Sequence, residues 1–69
     1  MKISARNVLA GKVIHIVRGP VTTEVTLEIA AGVQIVATIT TSSAQALNLS
    51  EGAQAYGVIK ASSVMIATD

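Results

Sequence analysis

The sequence predicts an all-β fold: a five-stranded OB-like barrel with one short helix between the third and fourth strands. Three observations predict it. Val, Ile and Thr make up about a third of the 69 residues, and these stiff, branched side chains suit the pleated strand better than the helix. Val21 to Ala30 alternates apolar and polar residues, the period of a strand with one buried face. After three strand-like runs the period changes over Thr41 to Leu47 and then returns. The order is therefore β-β-β-α-β-β, which in so short a chain suits the OB barrel. An SH3-like barrel is the rival, and the position of the helix favours OB.

The first strand is read from about Ile3 to Arg18. Its segment Val13-Ile14-His15-Ile16-Val17 is nearly continuous in apolar residues, the pattern of a strand covered on both faces. Gly11 marks a bulge or bend in it. Arg18-Gly19-Pro20 is a turn signal. In the second strand Val21, Thr23, Val25, Leu27 and Ile29 face one way, while Thr22, Glu24, Thr26 and Glu28 face the wet side. Ala31-Gly32 forms a tight turn into the third strand, Val33 to Thr40. Ser42 followed by Gln45 fits a capping box, in which both side chains satisfy free N–H groups at a helix start. The helix lasts one or two turns and ends near Asn48. Asn48 to Gly52 is a loop. Ala53 to Lys60 is the fourth strand and Ser63 to Thr68 the fifth.

Composition excludes several functions. There is no cysteine, so no disulfide framework exists. His15 is the only histidine, which leaves no ligand set for a Cys/His zinc site. Tyr56 is the only aromatic residue, too few rings for base stacking. Five cations face four carboxylates, for a net charge of +1, so the basic face of a nucleic-acid binder is missing. The segment after Lys2 and Arg6 is interrupted by Gly11 and Lys12 and is too short for a signal peptide. Ile29 to Ser50 is free of charge but rich in Thr, Ser, Gln, Asn and Gly, unlike a spanning helix. The chain is expected to be one cytoplasmic domain, residues 1–69, with no membrane partner. Only 13% of its residues are charged, against about 25% in an average soluble domain. A domain this small is marginal alone, and surplus apolar surface belongs at subunit interfaces, so an obligate oligomer is expected.

No enzyme chemistry is legible. His15 lies in an apolar strand, as packing or interface histidines do. Glu24 and Glu28 stand about 13 Å apart by strand rise, too far for an acid/base pair. There is no GxGxxG motif or P-loop, and no nucleophile or base can be named. What the sequence holds is a set of donors at predicted strand ends. Ser4 and Arg6 lie two apart, on one face of an extended segment. Thr40 ends the third strand, and Ser43 lies in the first turn of the helix. Lys60 ends the fourth strand, before Ala61, Ser62 and Ser63. None of these stretches holds a carboxylate. Two cations with hydroxyls and amides suit a small, doubly charged oxyanion, whose oxygens only accept hydrogen bonds.

At these residues the sequence resembles a known family. Ile3-Ser4-Ala5-Arg6-Asn7 is similar to the "SARN" opening of the molbindins, small molybdate-binding proteins. Their domain also occurs in molybdate-responsive regulators and in the ATPase subunits of molybdate transporters. Leu9-Ala10-Gly11-Lys12-Val13 resembles the family's "L-x-G-K-V", and Glu24-Val25-Thr26-Leu27-Glu28-Ile29 its "E-V-x-L-E-I". Asn48-Leu49-Ser50-Glu51-Gly52 resembles "G-L-x-E-G", and Ile59 to Ile66 resembles "V-K-A-S-x-V-x-I/L". Two departures stand out. Pro20 removes an N–H from its turn. Asn48 stands where Gly is common, and Asn tolerates the left-handed backbone that Gly supplies.

The resemblance implies an OB-type barrel that assembles through exchanged or shared strands into a hexamer, a trimer of dimers. It implies molybdate (or tungstate) held between subunits by Ser4, Arg6, Thr40, Ser43, Lys60 and the backbone of Ala61, with Ser62 added. A second site on a symmetry axis is assigned to Gly19, Val21 and Thr22. The metal would have no direct protein ligands, and no organic cofactor is expected, since one ring cannot sandwich a pterin. The function implied is storage and homeostasis of the oxyanion, without catalysis. A molybdate-sensing interaction module and a nucleic-acid-binding OB domain are the alternatives.

Overall fold

The computed structural model describes all 69 residues. Four strands, β1 (Asn7–Arg18), β2 (Thr22–Ala30), β3 (Val33–Thr40) and β4 (Gln54–Ile59), form one antiparallel sheet in the order β3-β2-β1-β4. A six-residue helix, α1 (Thr41–Ala46), follows β3, and a 3₁₀ turn at Ala61–Ser63 follows β4. The all-β class and the helix between the third and fourth strands are as the sequence predicts.

The ladder register sorts side chains between two faces. The rows Ala55–Gly11, Val13–Leu27–Ile35 and Ile16–Val25–Ala37 lie on the concave side. Val13, Val25 and Leu27 are buried there, with Ile16, Ile29, Ile35, Ile39, Leu49 and Ala55 packed around them. Branched residues at alternate positions build this core because successive side chains point to opposite faces. Gly57 belongs to it through its lack of a side chain: a Cβ there would lie 2.4 Å from Cδ1 of Ile35. The opposite face carries the rows Gln54–Lys12–Glu28–Gln34 and Val17–Glu24–Thr38.

Several expectations are corrected. The fifth strand, Ser63 to Thr68, does not form, and the sheet has four strands. A strand needs an edge to pair with, and Val64 to Thr68 meets none within its own chain. Met65 and Ile66 are 91% and 87% exposed. The first strand begins at Asn7, not Ile3, because its partner β4 ends opposite at Ile59. β4 begins at Gln54, one residue after the predicted start, although Val13 N–H still donates to the Ala53 carbonyl at 2.9 Å. The ladder shifts register at Ile14, between Val13 and His15, and at Ile29, between Glu28 and Ala30, and not at Gly11. Gly11 instead permits close packing of strands, since a Cβ there would stand 2.9 Å from the Glu28 carbonyl oxygen.

Val13 to Val17 is covered on one face only, with His15 and Val17 exposed. Val21 lies outside β2 and is exposed. Thr26, placed on the wet face by alternation, is buried, because it sits in one row between His15 and Val36. Ser42 does not cap the helix. Thr40 does, its Oγ1 accepting from the Ser43 N–H, because the helix starts one residue after β3 ends. At the other end Asn48 takes the left-handed conformation, φ 55°.

Candidate functional site

The two predicted cations lie at the same end of the sheet. Asn7 and Ile59 form the last pair of the β1–β4 ladder, and Arg6 and Lys60 are their chain neighbours. Both cations are exposed. Neither forms an ion pair; the one carboxylate contact of a basic side chain is Glu51 Oε2 with His15 Nδ1, at 3.7 Å. Ser4 is exposed at a bend two residues before Arg6. Lys60 leads into the 3₁₀ turn, which is closed by Ser63 N–H to the Lys60 carbonyl at 2.8 Å and Val64 N–H to that of Ala61 at 3.3 Å. The first N–H groups of such a turn, those of Ala61 and Ser62, have no partner inside it. This end offers two positive charges, the Ser4 and Ser62 hydroxyls, and free amides.

Thr40 and Ser43 lie at the other end. Thr40 closes β3 opposite Thr22, and the next rung in joins Thr23 to Arg18, the last residue of β1. Thr40 Oγ1 accepts the Ser43 N–H at 3.0 Å and donates its own hydrogen to Ser43 Oγ at 2.7 Å. A hydroxyl has a single hydrogen to give, and in the ligand-free chain that of Thr40 is taken up by Ser43. Ser43 accepts that bond and keeps its own O–H free to donate. Thr41 anchors the helix to the preceding turn. Its Oγ1 donates to the Gly19 carbonyl at 2.7 Å, and its N–H donates to that of Val21 at 2.8 Å. With the Thr41 hydrogen thus placed, Thr23, wholly buried, donates to Thr41 Oγ1 at 2.8 Å.

The predicted second group, Gly19, Val21 and Thr22, lies beside Thr41 and is tied into the chain. Gly19 N–H donates to the Thr22 carbonyl at 3.0 Å, so that amide is occupied. A Cβ at Gly19 would fall 2.6 Å from the same oxygen, which is why glycine stands there. Arg18 Nη2 completes the turn with a bond to the Leu49 carbonyl at 3.0 Å.

One protomer therefore places Arg6 with Lys60 and Thr40 with Ser43, but the two groups lie at opposite ends of the twelve-residue β1. Asn7, Thr23 and Thr41 were not singled out from the sequence. The run of four hydroxyls Thr40-Thr41-Ser42-Ser43 was the available signal for Thr41. No group of three or more His, Asp or Glu side chains gathers anywhere.

Comparison with known proteins agrees with this architecture. The model of the TOBE domain matches residues 3–66. The chain is similar to molybdenum-pterin-binding protein 1 of Clostridium pasteurianum, with 48% identity over 66 residues, 96% of this chain and 97% of that protein. It is 44% identical to a probable molybdenum-pterin-binding protein of Haemophilus influenzae, over 69 residues and the full length of both. It is 51% identical over 69 residues to the molybdenum transport protein ModE of Herbaspirillum seropedicae, but spans only 26% of that protein. Two solved structures superpose with a TM-score of 0.91. MopII from Clostridium pasteurianum does so at 46% identity, covering 97% of this chain and 100% of that one. A molybdate binding protein from Sporomusa ovata does so at 34% identity, covering 99% and 100%. Fold, motif order and full-length relatives agree: the chain belongs to the TOBE domain family, among relatives named for binding molybdenum-pterin or molybdate.

Proposed function

We propose that this protein binds molybdate, and tungstate as its close analogue, reversibly and without chemistry on it, at the interfaces of a cytoplasmic homo-oligomer. The observation that carries the reading is the split donor set. Two cations without carboxylate partners flank one ladder pair, while the free Ser43 hydroxyl lies at the far end of β1. A tetrahedral dianion enclosed by both groups needs them from different protomers. Arg6 and Lys60 balance its charge; Ser4, Thr40, Ser43, Ser62 and the Ala61 amide donate to its oxygens, Thr40 by turning its hydroxyl from Ser43. The full-length relatives named for molybdenum-pterin and molybdate support the same ligand class.

The assembly we propose is a hexamer, a trimer of dimers. A core of four buried apolar residues is small for 69 residues, while Val17, Val36, Tyr56, Val58, Met65 and Ile66 are all exposed. Apolar surface of that extent favours association. An apolar groove of about 500 Å³, lined in part by Leu27, Ile35, Ile39, Tyr56 and Val58, is open where a barrel would be closed. A fifth strand exchanged from a partner suits that opening. Storage and homeostasis of the oxyanion is the role such a protein fills. The match to one quarter of ModE favours a second reading, that the same fold also serves as a sensing module in longer proteins.

Calorimetry with molybdate, tungstate, sulfate and phosphate tests the ligand. Molybdate and tungstate are expected to bind. Sulfate, equal in charge but smaller, leaves donors unpaired and is expected to bind far more weakly. Equal or absent heats for all four overturn the proposal. A molybdopterin arm separates the free oxyanion from a pterin complex: Tyr56 alone offers no ring sandwich, so no added affinity is expected.

A further inference from the structure

Asn7 is the half-buried first residue of β1, paired with Ile59, the last residue of β4. Its Nδ2 donates to the Ile59 carbonyl oxygen at 3.2 Å. That bond reinforces the final rung of the ladder. The next residues outward are Arg6 and Lys60, both exposed and neither in an ion pair. Arg6 and Lys60 each lie one residue beyond that last pair; like charges at adjacent strand ends repel, and strand ends open at the lowest free energy in a fold. The repulsion therefore acts on the rung that Asn7 holds. No further rung lies outside it: residues 1–6 are outside any strand, and after Lys60 the chain turns at Ala61–Ser63.

We infer that Asn7 is a positioning residue, whose side-chain amide holds the ends of β1 and β4 together against the repulsion between Arg6 and Lys60. The two cations are thus arranged before the ligand arrives, and a dianion between them relieves the repulsion. The ligand half of this inference rests on the molybdate reading above; the clamp itself is a property of the free protein. Donors held in place beforehand lose less entropy on binding.

Backbone ¹⁵N relaxation of the ligand-free protein tests the clamp. In Asn7→Leu, which keeps the volume and removes the donor, order parameters at Arg6 and Lys60 are expected to fall from about 0.85 towards 0.6. The strand centres should not change. Adding Lys60→Gln to Asn7→Leu is expected to restore the order, because the repulsion is gone; a purely structural role for Asn7 would not respond to that charge. Asn7→Ser, too short to make the bond, replaces Asn7→Leu if the latter does not fold. With molybdate, Asn7→Leu is expected to bind about fivefold to tenfold more weakly, and Asn7→Gln, which retains the amide, within about twofold of the parent. Unchanged order at Arg6 and Lys60 in Asn7→Leu, or no recovery on Lys60→Gln, overturns the clamp. Absence of molybdate heat in the unaltered protein overturns the ligand half, and the relaxation data still decide the clamp.

Discussion

Arg6 and Lys60 do different work from the hydroxyls around them. Each balances one charge of the proposed dianion, so Arg6→Ala or Lys60→Ala is expected to weaken molybdate binding by about 2 kcal/mol or more, read by calorimetry. Unchanged affinity in both removes them from the site. Thr40 and Ser43 separate in the same way. Ser43→Ala removes the free donor but leaves the Ser43 N–H bonded to Thr40 Oγ1, so it should weaken binding with little loss of stability. Thr40→Ala removes the helix cap and is expected to lower stability by about 1 kcal/mol, read as a shift in the urea midpoint. The sequence pointed to both residues as donors. What the folded geometry adds is that Thr40 also caps the helix, through the Ser43 N–H, while Ser43 does not.

At the scale of elements, β1, β2, β3 and the helix were legible because each carries its own period and punctuation. Ala31-Gly32 marked the hairpin, and Gly32 does take a positive φ of 75°. What was not legible depends on partners distant in sequence. The start of β1 is set by where β4 stops, and the register shift at Ile14 by pairing with β2. Alternation cannot show that His15 and Val36 cover Thr26. The Thr41 bonds to Gly19 and Thr23 are another such case, joining residues 22 and 18 positions apart. They hold the helix to its turn, so Thr41→Val is expected to destabilise the fold by about 1–3 kcal/mol, by leaving the buried Thr23 hydroxyl without its acceptor. Gly19→Ala should act on the same joint. Its Cβ would press on a backbone oxygen that cannot swing aside, at a cost of about 1–3 kcal/mol. A melting curve unchanged by both substitutions would refute this account of the joint.

For the whole molecule, the sequence's low charge and surplus of apolar residues pointed to assembly, and the exposed tail is where the proposed assembly is best tested. Val64, Met65 and Ile66 lie in the open without a ladder. On the proposed exchange of strands, Ile66→Asp is expected to reduce the subunit number seen by native mass spectrometry. Unaltered hexamers at all concentrations would show that the tail is not part of the interface. Melting of the parent should shift upward with protein concentration, since association stabilises by mass action.

The two uncapped margins of the sheet, β3 and β4, have a consequence for abundance. If each chain completes its neighbours, the assembled form accumulates as a high power of total chain concentration rather than in proportion to it. Below a threshold of synthesis nearly all chains are single, each with its two donor groups at opposite ends of β1 and no complete site. Above it, new chains enter complete sites. Capacity for the oxyanion would then switch on steeply with expression, a dose response produced by sheet geometry and independent of any transcriptional control.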